Sequence, residues 1–153
     1  EGLERMRVGF DIWNPTGMRT WLQMFTTLYA DALLHGRRYD EALDALDKAL
    51  EYGRQTGERW WESRIHHLCA DALIHSGQSE AAVNSLQTAI QVAQGQNAKS
   101  WELRASMRLA RLRAEQGKRK DARDLLAPIY DWFTEGFDTP DLRDAKGMLD
   151  ELT

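Results

Sequence analysis

Three strings decide the fold: EALDALDKAL (residues 41–50), AAVNSLQTAI (81–90) and DARDLLAPIY (121–130), which begin forty residues apart. Small or apolar residues occupy their equivalent positions, which are Ala42, Ala82 and Ala122; Leu46, Leu86 and Leu126; Ala49, Ala89 and Ile129; and Leu50, Ile90 and Tyr130. Offsets of 0, 4, 7 and 8 residues place these positions on one face of an α-helix. The sequence therefore predicts a helix that recurs three times with the same buried stripe.

A second helix is predicted upstream of each of these, because another stripe repeats with the same period. Its positions are Tyr29, Cys69 and Leu109; Ala30, Ala70 and Ala110; and Leu33, Leu73 and Arg113. Glycine ends helices and accepts positive φ without steric cost, and it stands in each turn between two helices, as Gly36, Gly77 and Gly117. Gly17, Gly57 and Asn97 occupy equivalent positions between units and suit the left-handed conformation. The repeat is thus a helix–turn–helix pair in which alanines allow close packing.

The repeat register extends to both ends of the chain. Gly2, Met6, Gly9 and Phe10 fall on the stripe, so residues 1–13 are predicted to be the second helix of a preceding repeat whose first helix is missing. Near the other end, the order Thr139, Pro140, Asp141 predicts an N-cap, a first helical residue and an acidic residue at the positive end of a helix dipole. The stripe that follows is typical of a helix that caps a solenoid, and consists of Leu142, Ala145, Leu149 and Leu152.

The predicted fold class is all-α. We expect an α-solenoid in which antiparallel helix pairs repeat every forty residues and stack on one another. Seven helices are expected near residues 2–13, 18–35, 38–55, 58–76, 79–95, 98–116 and 119–135, and an eighth from about 140 to 152. One domain is expected, made of the partial repeat (1–17), three repeats (18–57, 58–97 and 98–137) and the capping helix (138–153). Trp21, Trp61 and Trp101 share one repeat position and are expected to be buried staples between successive repeats, whereas Trp60 is expected to be exposed.

Composition excludes several classes of function. Of the 153 residues, 42% are hydrophobic and 29% charged, which is typical of a soluble globular domain. The net charge of −4 disfavours binding to nucleic acid or acidic lipid, and no apolar run approaches the roughly 20 residues that span a bilayer. The single cysteine, Cys69, fits a reducing cytoplasm and is expected to be a buried, inert thiol. We therefore expect a cytoplasmic protein that binds neither nucleic acid nor membranes.

The spacing of small and apolar residues resembles the tetratricopeptide repeat (TPR), with a first helix longer than that of the standard unit. Three strings are similar to the C-terminal TPR region of large bacterial regulators: GERWWES (57–63), AKSWELRASMRLARL (98–112) and DLLAPIYDWFTEGFDTPDLRDAKGMLDEL (124–152). In those proteins a class III adenylate/guanylate cyclase domain, or a transcriptional-activator domain, precedes an ATPase module and then this region. The resemblance implies that the chain is the C-terminal fragment of a larger bacterial signalling protein.

Catalysis, a metal and a cofactor are not expected. The string EQGKRK (115–120) contains a Gly–Lys pair without the glycine-rich loop of an ATPase, and no arrangement typical of a catalytic nucleophile and its base is found. His67, Asp71 and His75 follow one helix face, but three ligands along that face span roughly 12 Å, too far for one ion. These residues are therefore interpreted as a polar face, and His66 as a partly buried imidazole.

A locally basic segment occurs in the third repeat and consists of Arg104, Arg108, Arg111, Arg113, Lys118, Arg119, Lys120 and Arg123. Acidic residues are interspersed with it, so the favoured interpretation is a solvated surface. The alternative is a surface that attracts an acidic peptide or a phosphate.

The favoured function is a non-catalytic protein-interaction and regulatory module. In a solenoid of helix pairs, the first helices of the units line the concave surface. The predicted groove residues are Met24, Thr27, Asp31, Arg64, His67, Asp71, Ile74, Arg104, Met107 and Arg111. Such a mixture of charged, methionine and aliphatic side chains suits an extended or helical peptide. The alternative is an intramolecular sensor or clamp that binds a small effector or the parent's own ATPase or cyclase domains. A self-standing enzyme or nucleic-acid binder is the third hypothesis.

Overall fold

The computed structural model describes residues 1–13, residue 17 and residues 21–153, and this part of the chain contains eight α-helices and no strand. The helices are α1 (Gly2–Trp13), α2 (Leu22–His35), α3 (Tyr39–Thr56), α4 (Glu62–His75), α5 (Ser79–Gly95), α6 (Lys99–Glu115), α7 (Arg119–Asp131) and α8 (Pro140–Glu151). The prediction of an all-α helical repeat is confirmed. The predicted start of the second helix at residue 18 lies outside the described residues.

Two helix boundaries differ from the predicted ones by about one turn. The helix α4 begins at Glu62 and not near residue 58, because Trp60 and Trp61 form a turn before it. The helix α7 ends at Asp131 and not near residue 135, and a turn and residues without regular secondary structure follow it. The apolar stripe of the sequence continues past the end of α7, whereas the turn before α4 has no sequence signal of its own.

The chain divides into two compact units, residues 1–82 and 83–153, with the division inside α5. In unit 1, α2 packs on α3, α4 contacts both of them, and α1 contacts α2. The core of unit 1 contains the predicted stripe residues Ala30, Leu33, Ala42, Leu46, Ala49 and Cys69, and it also contains Leu68, which the stripes did not predict. The alanines allow the close approach of α2 and α3, since their side chains are fully buried at the contact. That the chain forms one domain stays a prediction.

Unit 2 contains the same arrangement of a first helix, a second helix and the next first helix. Here α6 packs on α7, and α8 contacts both. Its core consists of Leu103, Ala110, Ala122, Leu126, Ile129, Leu142, Ala145 and Leu152. Pro140 is the first residue of α8, as predicted, but Thr139 makes no side-chain cap; its hydroxyl donates instead to the Gly136 carbonyl at 2.7 Å. The helix α8 therefore covers the apolar stripe of α7.

The turns within repeats share a left-handed residue, but the first of these residues is not the predicted glycine. Gly77 and Gly117 have φ of 76° and 77°, whereas Gly36 has φ of −79° and Arg37 takes the left-handed conformation with φ of 57°. Position 37 is the equivalent of 77 and 117 in a forty-residue repeat. Gly36 ends α2, as predicted, but it does not take positive φ. In each turn the following N–H donates to a carbonyl five residues earlier, as from Arg38 to Leu33 at 3.0 Å.

The tryptophans of the shared repeat position are less buried than predicted. Trp21 is 41% exposed, so the prediction of a buried staple is wrong for this residue. The helices α2 and α4 begin immediately after Trp21 and Trp61, which places these indoles at helix starts and not within the first turns. Trp61 is half-buried against the core of unit 1. Trp60 is exposed, as expected, and its ring centroid lies 4.9 Å from that of Trp21.

Candidate partner-binding faces

The predicted groove residues of unit 1 lie on two neighbouring helices. Met24, Thr27 and Asp31 are on α2, and Arg64, His67, Asp71 and Ile74 are on α4. Their spacing of three or four residues places each set along one side of its helix. The guanidinium of Arg64 donates from Nη2 to Asp31 Oδ2 at 2.9 Å, and the two side chains are only 22% and 27% exposed. This ion pair between residues 33 apart in sequence brings the two sets together.

Asp31 and Asp71, which share one repeat position, have similar surroundings. Asp31 Oδ1 lies 3.5 Å from His35 Nδ1, and Asp71 Oδ2 lies 3.6 Å from His67 Nε2. His35 and His75 each donate from Nδ1 to the carbonyl one turn earlier, at 2.8 Å on Asp31 and 2.7 Å on Asp71. The repeat thus places a carboxylate with basic neighbours at the same point on each first helix of unit 1.

The predicted groove residues do not form a metal site within the part of the chain that the structure describes. No group of three His, Cys, Asp or Glu side chains in that part of the chain could hold an ion. The ring of His75 is stacked on Tyr39, with centroids 4.9 Å apart and planes 19° apart. Nδ1 of His75 donates to a carbonyl of its own helix, and its ring, stacked on Tyr39, joins the start of α3 to the end of α4.

The structure places Thr27 differently from the helical-wheel prediction. Its side chain is only 1% exposed, and its hydroxyl donates to the Gln23 carbonyl at 2.6 Å. Thr27 therefore offers no surface to a partner. Met24 and Ile74 are half-buried and retain accessible apolar surface. A helical wheel gives the direction of a side chain but does not show the neighbouring helices that cover it. The sequence therefore predicts Thr27 as a groove residue although it is buried in the fold.

In unit 2, Arg104 forms an ion pair similar to that between Asp31 and Arg64. Its Nε donates to Asp141 Oδ2 at 2.7 Å, so the pair joins α6 to α8. The guanidinium also lies over the indole of Trp101, 5.0 Å from the ring centroid. Met107 packs partly against the core, and Arg111 is exposed. The sequence predicted Asp141 only as a helix-start residue, because a contact between residues 37 apart depends on how α8 packs.

Several basic residues of unit 2 are engaged with neighbouring acceptors. Lys120 Nζ lies 3.2 Å from Asp124 Oδ2, Arg113 donates to the Asp121 carbonyl at 3.5 Å, and Arg119 donates to the Glu151 carbonyl. Of these acceptors, Asp124 offers a carboxylate and the other two are backbone carbonyls, so a solvated surface with interspersed acids stays a prediction.

Burial shifts the pKa values of two side chains of unit 1 that could take part in chemistry, Cys69 and His66. Burial raises the pKa of the Cys69 thiol to about 12, so the reactive thiolate is nearly absent at neutral pH. Burial also lowers the pKa of His66, although the nearby Glu62 opposes the shift. Cys69 is therefore the buried, unreactive thiol that the sequence predicted, and His66 is the partly buried imidazole.

Comparison with known families agrees with this geometry. Residues 23–95 match the family described as Tetratricopeptide repeat, a stretch that begins in α2 and ends with α5. The match supports a TPR domain, and TPR domains generally mediate contacts between proteins and are generally not catalytic. A comparison with curated proteins gives no match. Within the described residues, none of the helices combines the length and apolar character of a membrane span.

Proposed function

We propose that the chain is a non-catalytic interaction module that binds a peptide segment of another protein on the α2–α4 face of unit 1. This face is defined by Met24, Asp31, Arg64, Asp71 and Ile74. The predicted groove residue His67 is only 9% exposed, so it contacts Asp71 and offers little surface to a partner. The observation that carries the proposal is the partly buried Asp31–Arg64 pair between neighbouring first helices, together with the half-buried Met24 and Ile74 on the same two helices. The TPR match supports the coarse kind of partner.

The charges of the α2–α4 face favour a particular peptide chemistry. The face carries two carboxylates, Asp31 and Asp71, and one guanidinium, Arg64, so it is net negative when the histidines are neutral. A peptide with a basic side chain next to an aliphatic or aromatic one would complement this surface. The predicted residues of α6, Arg104, Met107 and Arg111, form a separate contact area in this proposal.

The wider context is also part of the proposal and rests on the resemblance described above. The parent would be a bacterial signalling protein, cytoplasmic, in which a cyclase or transcriptional-activator domain and an ATPase module accompany this region. The module would then recruit a partner to the enzymatic or DNA-binding parts of that protein.

A charge swap tests the proposed face. A phage-displayed random peptide library would be selected on the 153-residue chain, and the affinity of an enriched peptide measured by fluorescence anisotropy. Asp31→Arg and Arg64→Asp should each weaken binding by about tenfold or more, as expected for truncating a partly buried charged contact. The double variant restores an ion pair with reversed polarity, so its stability should recover while peptide binding does not.

The matched control is Asp150→Arg, which disrupts the exposed Lys146–Asp150 pair on α8. It should leave peptide affinity unchanged. If enriched peptides bind the swapped variants as well as the wild type, the α2–α4 face is not the site.

A cleft in unit 1 favours the small-effector alternative as a second candidate. The cleft has a volume of about 370 Å³ and is lined by residues of α1, α2 and α3, among them Phe10, Thr26, Tyr29, Lys48 and Tyr52. This volume falls within the range of small-molecule sites, and the hydroxyl of Thr26 is buried there without a hydrogen bond. A thermal-shift screen with nucleotides and amino acids tests it. A ligand that raises the Tm of the wild type but not of Tyr52→Ala would support an effector site, and the absence of any shift would exclude these ligands.

A further inference from the structure

We propose that the cleft between α1, α2 and α3 binds a free α-amino acid with an aromatic side chain. Asp44 would hold the ammonium group of this ligand and Lys48 its carboxylate. The ligand would be the effector of the second candidate function described above, and the inference rests on that candidate. It involves no residue of the α2–α4 face.

The charged side chains that line the cleft balance one another. Two of them are acidic, Glu41 and Asp44, and two are basic, Arg7 and Lys48. A lining with both signs and no net charge suits a zwitterion. A nucleotide brings several negative charges and a polyamine several positive ones, so the cleft complements both less well.

One acid and one base of the cleft remain for a ligand. Arg7 is paired with acidic residues of its own helix, and Glu41 is paired with Arg38. Asp44 and Lys48 form no ion pair within the part of the chain that the structure describes. They stand four residues apart on α3, so about 6 Å of helix rise separates them. An α-amino acid carries its two charges on one carbon and can therefore contact both side chains.

The floor of the cleft holds an unsatisfied hydroxyl group. Thr26 is 6% exposed, and its Oγ1 is buried without a hydrogen bond to any described residue. Because the antiparallel helices α2 and α3 bring Gln23 beside Gly53, Thr26 lies near the end of the cleft that Lys48 and Tyr52 form. A threonine on a helix has two favoured χ1 rotamers, so this hydroxyl can turn and donate to a carboxylate bound at Lys48.

The apolar walls of the cleft favour an aromatic ligand side chain. Tyr29 and Tyr52 are half-buried, and the ring of Phe10 lies edge-on to that of Tyr29 with centroids 5.6 Å apart. A further ring can pack on these rings in the same way. The volume of about 370 Å³ has room for such an amino acid.

A further helix packed on α1 would leave the cleft open. Arg7 and Phe10, which line it, hold the repeat positions of Asp47 and Leu50 in α3. Both α2 and α4 contact α3, yet Asp47 is exposed and Leu50 is half-buried. The side of α1 that faces the cleft is therefore the side that neighbouring first helices leave accessible.

Isothermal titration calorimetry of the 153-residue chain with L-phenylalanine tests the proposal. Two analogues each remove one charge from this probe: L-phenylalaninamide lacks the carboxylate, and N-acetyl-L-phenylalanine lacks the ammonium group. We expect saturable binding of L-phenylalanine. Each analogue should bind about tenfold more weakly, as expected for the loss of one charge-assisted contact.

The variants are matched to the analogues. Lys48→Met should weaken the binding of L-phenylalanine about tenfold but leave the binding of the amide unchanged, since the amide has no carboxylate to lose. Asp44→Asn should weaken the binding of L-phenylalanine similarly and leave that of the N-acetyl analogue unchanged. Asp47→Asn, an exposed position of α3 that does not line the cleft, should bind L-phenylalanine like the wild type.

Thr26→Val separates a ligand contact from a structural role. It removes a hydroxyl that has no partner in the free chain, so the Tm of the free chain should stay the same or rise. The affinity for L-phenylalanine should nevertheless fall. A lower Tm with unchanged affinity would show that Thr26 does not contact the ligand.

Three other results would overturn the proposal. Equal losses for L-phenylalanine and the amide in Lys48→Met would show that Lys48 does not bind the carboxylate. Binding of L-phenylalanine that both Asp44→Asn and Lys48→Met leave unchanged would place the ligand elsewhere. No binding at millimolar L-phenylalanine would exclude this class of ligand. The effector site itself is then decided by the thermal-shift screen, because a nucleotide that stabilises the wild type but not Tyr52→Ala would keep the site and assign it another ligand.

Discussion

At the scale of single residues, Gly53 shows how closely the helices approach. It lies in the interior of α3, and a Cβ added there would overlap Gln23 Nε2 and lie 2.6 Å from the Glu58 carbonyl oxygen. The side chain of Gln23 could move, but the carbonyl belongs to the backbone and is fixed by the chain around it. The glycine is therefore required by space, although glycine is a poor helix former.

We expect Gly53→Ala to destabilise the chain by roughly 1–3 kcal/mol, the range for overpacking a tight contact. The matched control is Gly147→Ala in α8, where an added Cβ meets nothing within 4 Å. That substitution should be neutral or stabilise by up to about 1 kcal/mol, from helix propensity alone. Urea unfolding followed by circular dichroism measures both, and a Gly53→Ala variant as stable as the wild type would contradict the packing described here.

The left-handed turns allow a second matched comparison. Arg37 takes positive φ where the equivalent positions hold Gly77 and Gly117. An L-residue in this conformation is less stable than glycine by about 1 kcal/mol. Arg37→Gly should therefore raise the free energy of unfolding by up to about 1 kcal/mol, and Gly77→Ala should lower it by a similar amount. Differential scanning calorimetry would show the two Tm shifts in opposite directions; shifts of the same sign would contradict this account of the turns.

At the scale of the helices, the sequence predicted what its period determines and missed what depends on tertiary packing. The number of helices and the buried stripes follow from the forty-residue spacing, as Ala42, Leu46 and Ala49 illustrate. The start of α4 was wrong because a turn that ends in Trp61 has no sequence signal of its own. Of the candidate site, the residues on α2 and α4 could be named from the sequence. The Asp31–Arg64 and Arg104–Asp141 pairs could not, because each joins helices whose contact only the fold defines.

The helix α8 should contribute more to stability than its position at the end of the chain indicates. Leu142, Ala145 and Leu152 lie in one core with Leu126 and Ile129 of α7. At about 25 cal/mol per Å² of apolar surface, removing these side chains costs several kcal/mol before ordering entropy is counted. Deletion of residues 138–153 should therefore abolish hydrogen-exchange protection in α7, whereas Lys146→Ala on the exposed face should preserve it. Full protection of α7 after the deletion would show that α8 is not a cap.

At the scale of the whole molecule, the two units repeat one arrangement of three helices. The helices α2, α3 and α4 in unit 1 correspond to α6, α7 and α8 in unit 2, and in each unit an ion pair joins the two first helices. The charges are exchanged between the two helices: the acidic residue is on the earlier helix, α2, in unit 1 and on the later helix, α8, in unit 2. The same backbone scaffold thus presents different surface chemistry, which is what distinguishes one repeat from another as a binding surface.

The single cysteine reports whether the chain unfolds as one domain, as predicted, or as two. Cys69 lies in the core of unit 1, and burial raises the pKa of its thiol to about 12. In an unfolded chain the thiol has a pKa of about 8.5, so at pH 8 it reacts with a disulfide reagent only when unit 1 opens. Because the folded pKa is the higher one, the neutral thiol is favoured in the fold, and this contribution to stability is lost as pH rises above about 8.5. If the chain is a single cooperative domain, deleting residues 138–153 from unit 2 should accelerate the labelling of Cys69. The increase in rate, expressed as a free energy, should then equal the loss in the free energy of unfolding. Unchanged labelling in the deletion variant, measured beside Lys146→Ala, would show that the two units unfold independently.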